Sequence, residues 1–267
     1  MTATGPNVLP GLDDNALCRL LEDLCLSAWP ALKTIYDDGW VLRFAQGHTG
    51  RANSVNCLSA GTLAVADKVD GAERAYTREG LPTRFRITPL APDALVAELD
   101  RRGYAWREES LVQVAPLSVP PVGADDSGLD WRVQEAPGED WLAGYEAAAS
   151  VPERERAAMR ALLAAIAPPT LYVSAWDGAR FTAGALGVVD RGWLGLYKVL
   201  VAPPYRGRGL APILTQRLMA AGARAGATRA YLQVGAANHP ALATYARLGF
   251  GTVYRYQYRQ APVVANS

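Results

Sequence analysis

The chain has 267 residues, half of them hydrophobic, and a formal net charge of +1 at pH 7. This length suits one large domain or two ordinary ones, and the composition favours a packed core and excludes general intrinsic disorder. The near-neutral charge provides no broad electrostatic attraction for nucleic acid or an acidic membrane, so neither is expected as a partner.

The first half of the chain alternates predicted helices with predicted strands. Apolar residues recur at helical spacing over 13–28, 64–79 and 92–102, and strand-like runs begin at residues 39, 51, 83 and 110. A stretch rich in Pro, Gly, Asp and Ser then predicts a linker at 116–128. We therefore expect two domains, at residues 1–115 and 129–267.

The second half begins with a predicted strand and ends with another. In chain order we expect a strand from 130, helices over 138–150 and 153–167, and three strands within 170–203. A helix over 210–225, a strand over 229–235, a helix over 240–248 and a strand over 252–259 follow. Each half closes with a helix, a glycine followed by an aromatic residue (Gly103-Tyr104 and Gly249-Phe250), and a strand. This parallel indicates an internal duplication.

The cysteines and the N-terminus bear on the compartment. Cys18, Cys25 and Cys57 are expected as buried free thiols of a reducing compartment, with a reactive thiol as the alternative. Residues 1–10 contain no basic region followed by an apolar one, and no apolar stretch approaches the ~18 residues of a membrane span. We expect a cytoplasmic protein.

The stretch "VAPPYRGRGLA" predicts an anion site. Arg206-Gly207-Arg208-Gly209 lies between an apolar strand and a helix that begins near Leu210. The first N–H groups of a helix lack partners and carry partial positive charge, and two guanidinium groups add bidentate donors for phosphate. The turn lacks the Lys and Ser/Thr of a nucleotide P-loop and does not follow the first strand of a parallel dinucleotide-binding unit. A glycine-rich helix entry with two surface arginines is the plain alternative.

Two motifs resemble the GNAT superfamily of N-acetyltransferases. The pyrophosphate-binding signature is matched by Arg206, Gly209 and Ala211, and "NHPALATYARLGF" resembles the second motif, at Asn238, Pro240, Ala241, Tyr245, Leu248, Gly249 and Phe250. The resemblance implies an α/β (α+β) fold of two GNAT-like domains, each with a mixed, mostly antiparallel twisted sheet flanked by helices. It implies a catalytic C-terminal domain at 129–267.

The first half resembles the family only in outline and has no Arg-Gly-x-Gly turn. It is expected to be a degenerate GNAT-like domain, and "GWVLRFAQGHTGRANSV" resembles the opening of a tandem-GNAT subgroup described as N-acetylglutamate-synthase-like.

The GNAT resemblance also implies roles for individual residues. Acetyl-CoA would be the cosubstrate, without a metal, and Tyr245 would protonate the departing thiolate; the alternative is that Tyr245 only packs beneath Phe250. The residues implied in coenzyme binding are Val199, Leu200, Val201, Arg206, Gly207, Arg208, Gly209, Leu210, Ala211, Asn238 and Tyr245.

The acceptor side is less specified by motifs. Four polar residues lie on otherwise apolar strands of the first half: Arg43, Arg51, Asn53 and Ser54. They either bind a substrate carboxylate or amide or face solvent, and Lys198 either lines an acceptor channel or covers the edge of a sheet.

The general base of the reaction is either a water relay or a carboxylate from elsewhere in the chain, with Glu135, Glu146 and Asp190 as candidates. His48 and His239 have no ligand-spaced partners, so no metal site is expected.

The predicted function is an acetyl-CoA-dependent N-acetyltransferase acting on a primary amine. The acceptor classes are a small molecule, such as an amino acid or an amine-bearing antibiotic, or a protein amine. A non-catalytic acyl-CoA sensor is the alternative function, and nucleic-acid binding is a second one that the charge disfavours. A monomer or a homodimer is expected.

Overall fold

Seven α-helices and eleven β-strands form within residues 13–117 and 127–262, the ranges that the computed structural model of the protein describes. The helices are α1 (Asp14–Ala28), α2 (Val65–Arg78), α3 (Asp93–Arg101), α4 (Glu139–Ala148), α5 (Glu153–Ala164), α6 (Leu210–Arg224) and α7 (His239–Arg247). The strands are β1 (Lys33–Asp37), β2 (Trp40–Phe44), β3 (Val55–Cys57), β4 (Arg84–Ile87), β5 (Ala105–Pro116), β6 (Asp130–Gln134), β7 (Thr170–Asp177), β8 (Arg180–Asp190), β9 (Trp193–Val201), β10 (Arg229–Gly235) and β11 (Gly251–Gln260).

All seven predicted helices are confirmed, within a few residues at their ends. Helix α1 begins where the sequence indicates, because the Asp13 carboxylate accepts the N–H of Ala16 at 2.7 Å. Residues 118–126 of the predicted linker lie outside the described ranges. Within those ranges, no helix combines the length and apolar character that crossing a membrane requires.

The strand predicted from residue 51 is wrong at its start. Gly50–Ala52 form a 3-10 turn, and the strand covers only Val55–Cys57. The reason is Asn53, whose side chain accepts the N–H groups of Ala45 and Gly47 and donates to the carbonyls of His48 and Thr49. These bonds fold residues 45–53 into a loop instead of an extended strand.

One continuous sheet contains all eleven strands, in the order β1-β2-β3-β4-β11-β5-β10-β9-β8-β7-β6. Neighbouring strands are antiparallel except for two parallel pairs, β3 with β4 and β9 with β10. Each parallel pair is connected by a crossover helix, α2 in the first half and α6 in the second. The expected fold class, a mixed and mostly antiparallel sheet flanked by helices, is confirmed, with the sheets of the two halves joined into one.

The two halves exchange their closing strands. The unit β3-α2-β4-α3-β5 has the same order of elements as β9-α6-β10-α7-β11. Yet β5 pairs with β10, with Leu111 opposite Val234, and β11 pairs with β4, with Tyr258 opposite Arg86. The predicted division at 1–115 and 129–267 stays a prediction, but the sheet of each half contains a strand from the other.

The three cysteines are buried free thiols, as the sequence indicates. Burial raises the pKa of Cys18 and of Cys25 to about 12, so neither is ionised at neutral pH.

A buried network of charged hydrogen bonds connects the two halves around an ion pair of the first half. Arg86 Nη2 on β4 lies 2.6 Å from Glu22 Oε1 on α1, and each side chain is only 2% exposed. The Tyr254 hydroxyl of β11 donates to the same Glu22 oxygen at 2.5 Å, and Arg86 Nη1 donates to Gln233 of β10 at 3.0 Å. Four elements from both halves therefore depend on one network of charged hydrogen bonds.

Removing one partner of this pair should destabilise the protein strongly. Glu22→Ala leaves the Arg86 guanidinium buried without its carboxylate, a change that costs about 3–5 kcal/mol of unfolding free energy. The matched control is Asp23→Ala on the same helix, which breaks the exposed pair of Asp23 with Arg19, and which should cost less than about 1 kcal/mol. Urea unfolding measures both. Equal losses in the two variants would show that the buried network does not hold the halves together.

Candidate active site

A cleft opens where the parallel strands β9 and β10 separate. They pair from Trp193 opposite Arg229 to Leu196 opposite Leu232. Beyond this point β9 continues to Val201 and β10 to Gly235 without pairing with each other. A cavity of about 710 Å³ lies here, lined by both free strand ends and by residues of α6 and α7. The separation exposes backbone groups that an unbroken sheet would use internally.

A β-bulge in β9 contributes to this separation. Gly184 of β8 lies opposite Leu200, but Leu186 lies opposite Tyr197, so β9 contains one extra residue between them. Lys198, at the bulge, has a φ of 54°, which is uncommon for a residue other than glycine. A bulge bends its strand and leaves backbone groups unpaired, here beside the cavity.

The Arg-Gly-Arg-Gly turn forms the entry to α6. Gly207 and Gly209 have φ values of 76° and 73°, which explains why glycine occupies both positions. A Cβ atom built at either residue would meet no atom within 4 Å, so the space in front of the turn is open. The first N–H groups of α6 therefore face an accessible region with partial positive charge.

The two arginines of the turn differ in position. Arg206 lines the cavity and donates from Nε to the carbonyl of Val201 at 3.1 Å. Arg208 does not line it; its guanidinium lies over the Tyr205 ring at 4.9 Å and donates to the Pro204 carbonyl at 3.2 Å. Arg208 thus stabilises the loop in front of the turn.

Most of the predicted coenzyme residues line this one cavity. They are Val199, Leu200, Val201, Arg206, Ala211, Asn238 and Tyr245. Gly207, Arg208, Gly209 and Leu210 are not in its wall, and the Leu210 side chain is buried in the core. The roles of these four residues in coenzyme binding stay predictions. Asn238 also caps α7, because its Oδ1 accepts the N–H of Ala241 at 3.2 Å.

Tyr245 of α7 packs against Phe250 and also lines the cavity, and its role as a proton donor stays a prediction. Its ring meets the Phe250 ring edge-on, with centroids 5.7 Å apart. Burial raises the pKa of Tyr245 to about 12. Within residues 13–117 and 127–262 no hydrogen bond engages its hydroxyl, so a protonated phenol is available to a ligand in the cavity.

The wall near Tyr197 brings two cations together with aromatic rings. The Arg51 guanidinium lies 6.0 Å from the Trp29 ring and 5.8 Å from the Tyr197 ring. Lys198 Nζ lies 5.0 Å from the Trp29 ring and 5.2 Å from the Tyr145 ring. Burial, followed by repulsion from Arg51, lowers the pKa of Lys198 to about 8.

Of the four predicted acceptor residues, only Arg51 lines the cavity. Arg43 is buried and donates to the carbonyls of Arg51, at 2.6 Å, and of Trp29. Asn53 holds the loop before it, and Ser54 is fully buried. Arg43 and Asn53 support the loop that presents Arg51 through these hydrogen bonds. Among the described residues, the buried Ser54 hydroxyl has no hydrogen-bond partner.

The predicted carboxylate candidates lie away from the cavity. Arg160 donates a hydrogen bond to Glu146, and this bond lowers the pKa of Glu146. Asp190 lies 3.4 Å from Arg191, and both residues line a separate surface pocket. Glu135 is exposed at the end of β6. In the described part of the chain, no Asp or Glu lines the cavity.

Two residues near Lys198 were not connected by sequence reasoning. His48 Nδ1 lies 3.0 Å from Glu155 Oε2, a contact between the first-half loop and α5. Burial lowers the pKa of His48. The two residues are 107 positions apart, and neither lies in a motif that would have indicated the pair.

His239 is the first residue of α7, as predicted. Among the described residues, no group of three or more His, Cys, Asp or Glu could hold a metal ion.

Comparison with known proteins shows the family of this chain. A family model described as "Probable histone acetyltransferase Rv0428c C-terminal" matches residues 16–259. The chain belongs to this acetyltransferase family. The relative "Uncharacterized N-acetyltransferase YobR" from Bacillus subtilis (strain 168) is 28% identical over 244 residues, which cover 90% of this chain and 97% of the relative.

Several solved structures have a fold similar to that of this protein. A GCN5-related N-acetyltransferase from Kribbella flavida has a TM-score of 0.67 at 15% identity, covering 91% of this chain and 95% of its own. A tandem GNAT protein from the clavulanic acid biosynthesis pathway has a TM-score of 0.65 at 12% identity, covering 98% and 92%. At these identities the likeness concerns the fold. Together with the family match, it confirms the GNAT resemblance, and the protein is an N-acetyltransferase of GNAT type.

The lowered pKa of Lys198 in this acetyltransferase can be measured directly. The chain has three lysines, so reductive methylation with ¹³C-formaldehyde gives few signals, and Lys198→Arg identifies one of them. We expect this signal to titrate near pH 8, because burial and Arg51 both disfavour the charged amine. Arg51→Gln should raise the midpoint, whereas Arg19→Gln, which removes an exposed arginine paired with Asp23, should leave it unchanged. A parent midpoint at the ordinary lysine value would contradict the description of this wall.

Proposed function

We propose that this protein transfers the acetyl group of acetyl-CoA directly to the primary amine of a small molecule bound between the two halves of the chain. The observation that supports this most is the shared cavity. It contains the separated strand ends, the turn residue Arg206 and the Tyr245 phenol, and Arg51 of the first half lies in the same wall. An amino acid or an amine-bearing antibiotic is the acceptor class, and a protein amine is the competing one.

The chain has suitable groups for each part of the coenzyme. N–H groups from Gly207 to Ala211 and the Arg206 guanidinium bind the diphosphate, and the open space before Gly207 and Gly209 accommodates it. The edge of Val199–Val201 that faces away from β8 hydrogen-bonds the pantetheine amides in the way that a neighbouring strand would. When bound, acetyl-CoA supplies an activated acyl group as its thioester.

The reacting atoms need a polarised carbonyl and a proton donor. A backbone N–H near Val201 stabilises the negative charge that develops on the thioester oxygen. Tyr245, protonated at neutral pH, donates its proton to the thiolate sulfur as the C–S bond breaks and the C–N bond forms. Since no Asp or Glu lines the cavity within the described ranges, the acceptor ammonium loses its proton through water.

The coenzyme site is tested by placing a carboxylate at the entry to α6. Acetyl-CoA at about a hundred times its dissociation constant stabilises a protein by ~2.7 kcal/mol, or roughly 5–10 °C in Tm for a chain of this size. Gly209→Asp should abolish this shift, because the carboxylate repels the diphosphate.

The matched control for Gly209→Asp is Gly226→Asp, just beyond the other end of α6. Gly226 also has a positive φ, of 90°, and open space where a Cβ would lie, so the strain and the added charge are comparable. This variant should retain the shift. Loss of the shift in both variants, or in neither, would place the coenzyme elsewhere.

The role of Tyr245 is tested by turnover. Tyr245→Phe should lower kcat by about 10²-fold or more and leave the acetyl-CoA affinity unchanged, because only the proton donor is removed. Tyr36→Phe, on the exposed edge strand β1, is the control and should retain full activity. Thiol release from acetyl-CoA measures both.

An unchanged kcat in Tyr245→Phe would refute the proton-donor role. If the parent binds acetyl-CoA but no amine yields free CoA, the protein would be an acyl-CoA sensor instead of an enzyme with this activity.

A further inference from the structure

Two cations in the cavity wall have no anionic partner in the described part of the chain. Arg51 and Lys198 both line the cavity, and within residues 13–117 and 127–262 no ion pair or side-chain hydrogen bond engages either of them. The cations instead share the Trp29 ring as a neighbour, at 6.0 Å for Arg51 and 5.0 Å for Lys198. Two like charges brought together and partly removed from water are unfavourable unless an anion binds between them.

Surrounding structure fixes both cations in place. The buried Arg43 holds the backbone of Arg51 through the Arg51 carbonyl, at 2.6 Å. Lys198 stands at the β-bulge with a φ of 54°, an uncommon conformation that the neighbouring strands impose. The Trp29 and Tyr197 rings, stacked with centroids 6.0 Å apart, lie beneath Arg51. Such support is typical of a binding site and not of a mobile surface charge.

The Glu155 carboxylate, whose charge acts on Lys198, already has a partner. Glu155 raises the pKa of Lys198, but burial and the charge of Arg51 lower this pKa by more. The Glu155 Oε2 atom lies 3.0 Å from His48 Nδ1. The remaining ionisable side chains of the wall are Tyr145, Tyr197, Arg206 and Tyr245. An acceptor with additional positive charge, such as a lysine in a basic peptide, would therefore meet repulsion without a compensating ion pair.

We propose that the acceptor is an amine that also carries a carboxylate, as a free amino acid does, and that Arg51 binds this carboxylate with Lys198 as the second positive charge. The inference rests on the proposed function and specifies its acceptor class. A planar guanidinium binds a carboxylate through two parallel hydrogen bonds, which also orients the amine relative to the thioester. Arg51 and Lys198 are thus specificity-determining residues contributed by different halves of the chain.

Matched acceptors test this inference. The nineteen amino acids with a primary amine and their α-carboxamides differ in the charge that Arg51 would bind and in the basicity of the amine, and a lysine-rich basic peptide represents the protein acceptors. With acetyl-CoA and a thiol assay, we expect kcat/KM for at least one amino acid to exceed that of its carboxamide by about 10–100-fold. The amine of a carboxamide is less basic and more often neutral, so chemistry alone would favour the opposite order.

Variants assign the effect to the two cations. Arg51→Gln should raise KM for the amino acid and leave the carboxamide unaffected, and Lys198→Met should do the same to a smaller extent. Arg247→Gln, at the exposed end of α7, is the control for loss of an arginine. An unchanged Tm shift with acetyl-CoA shows that each variant is folded. Preference for carboxamides or for the basic peptide, or equal losses for both acceptors in Arg51→Gln, would overturn the inference.

A binding measurement separates this inference from the proposed function. Calorimetric titration of N-acetyl amino acids and their carboxamides into the protein with CoA requires no turnover. We expect the carboxylate forms to bind the parent and to bind Arg51→Gln at least tenfold more weakly. If no amine is acetylated, the proposed function fails while Arg51-dependent binding still supports the carboxylate site; equal binding of acid and carboxamide overturns that site even if amines are acetylated.

Discussion

The separation of β9 from β10 is the feature on which the site depends. The two strands pair through only four residues each and then leave their edges unpaired, with the bulge at Lys198 bending β9 away. Both strands are held on their outer sides, β9 by β8 and β10 by β5, so the gap between them is a fixed part of the sheet. Unpaired backbone groups, the start of α6 and the Tyr245 phenol all meet at this gap.

The exchange of closing strands explains why the first half contributes to the site. Because β5 lies between β10 and β11, and β11 lies beside β4, the halves form one sheet that brings α1 and the loop before β3 toward β9. Arg51 reaches the cavity by this route, with the buried Trp29 ring beside it. The first half lacks a coenzyme turn of its own, yet it contributes Arg51 to the cavity wall, next to Tyr197 and Lys198 of the second half. Tyr254 and Gln233 join the buried Glu22–Arg86 pair of the first half to the second half.

Much of the fold could be predicted from the sequence, and so could many of the cavity-lining residues of β9, α6 and α7, because the signals there are local. Gly207 and Gly209 are needed for a backbone conformation, and Tyr245 follows Asn238 at a fixed distance along one helix. The strand exchange could not be predicted, because β5 and β11 are both compatible with either neighbour. Arg43 and Asn53 were uninformative for a related reason: a polar residue that satisfies buried carbonyls looks the same in sequence as one that faces a ligand. Tyr145 and Tyr197 resembled ordinary core residues.

Hydrogen exchange with and without CoA tests our claim that acetyl-CoA binds across the gap between β9 and β10. We expect slower exchange of the backbone amides at Val199–Val201 and at Gly207–Ala211, since these N–H groups would bind the pantetheine and the diphosphate. Amides of β1 and β2, at the far edge of the sheet, should be unchanged. Saturating CoA that leaves both segments unprotected, or that protects a different surface, would contradict the claim.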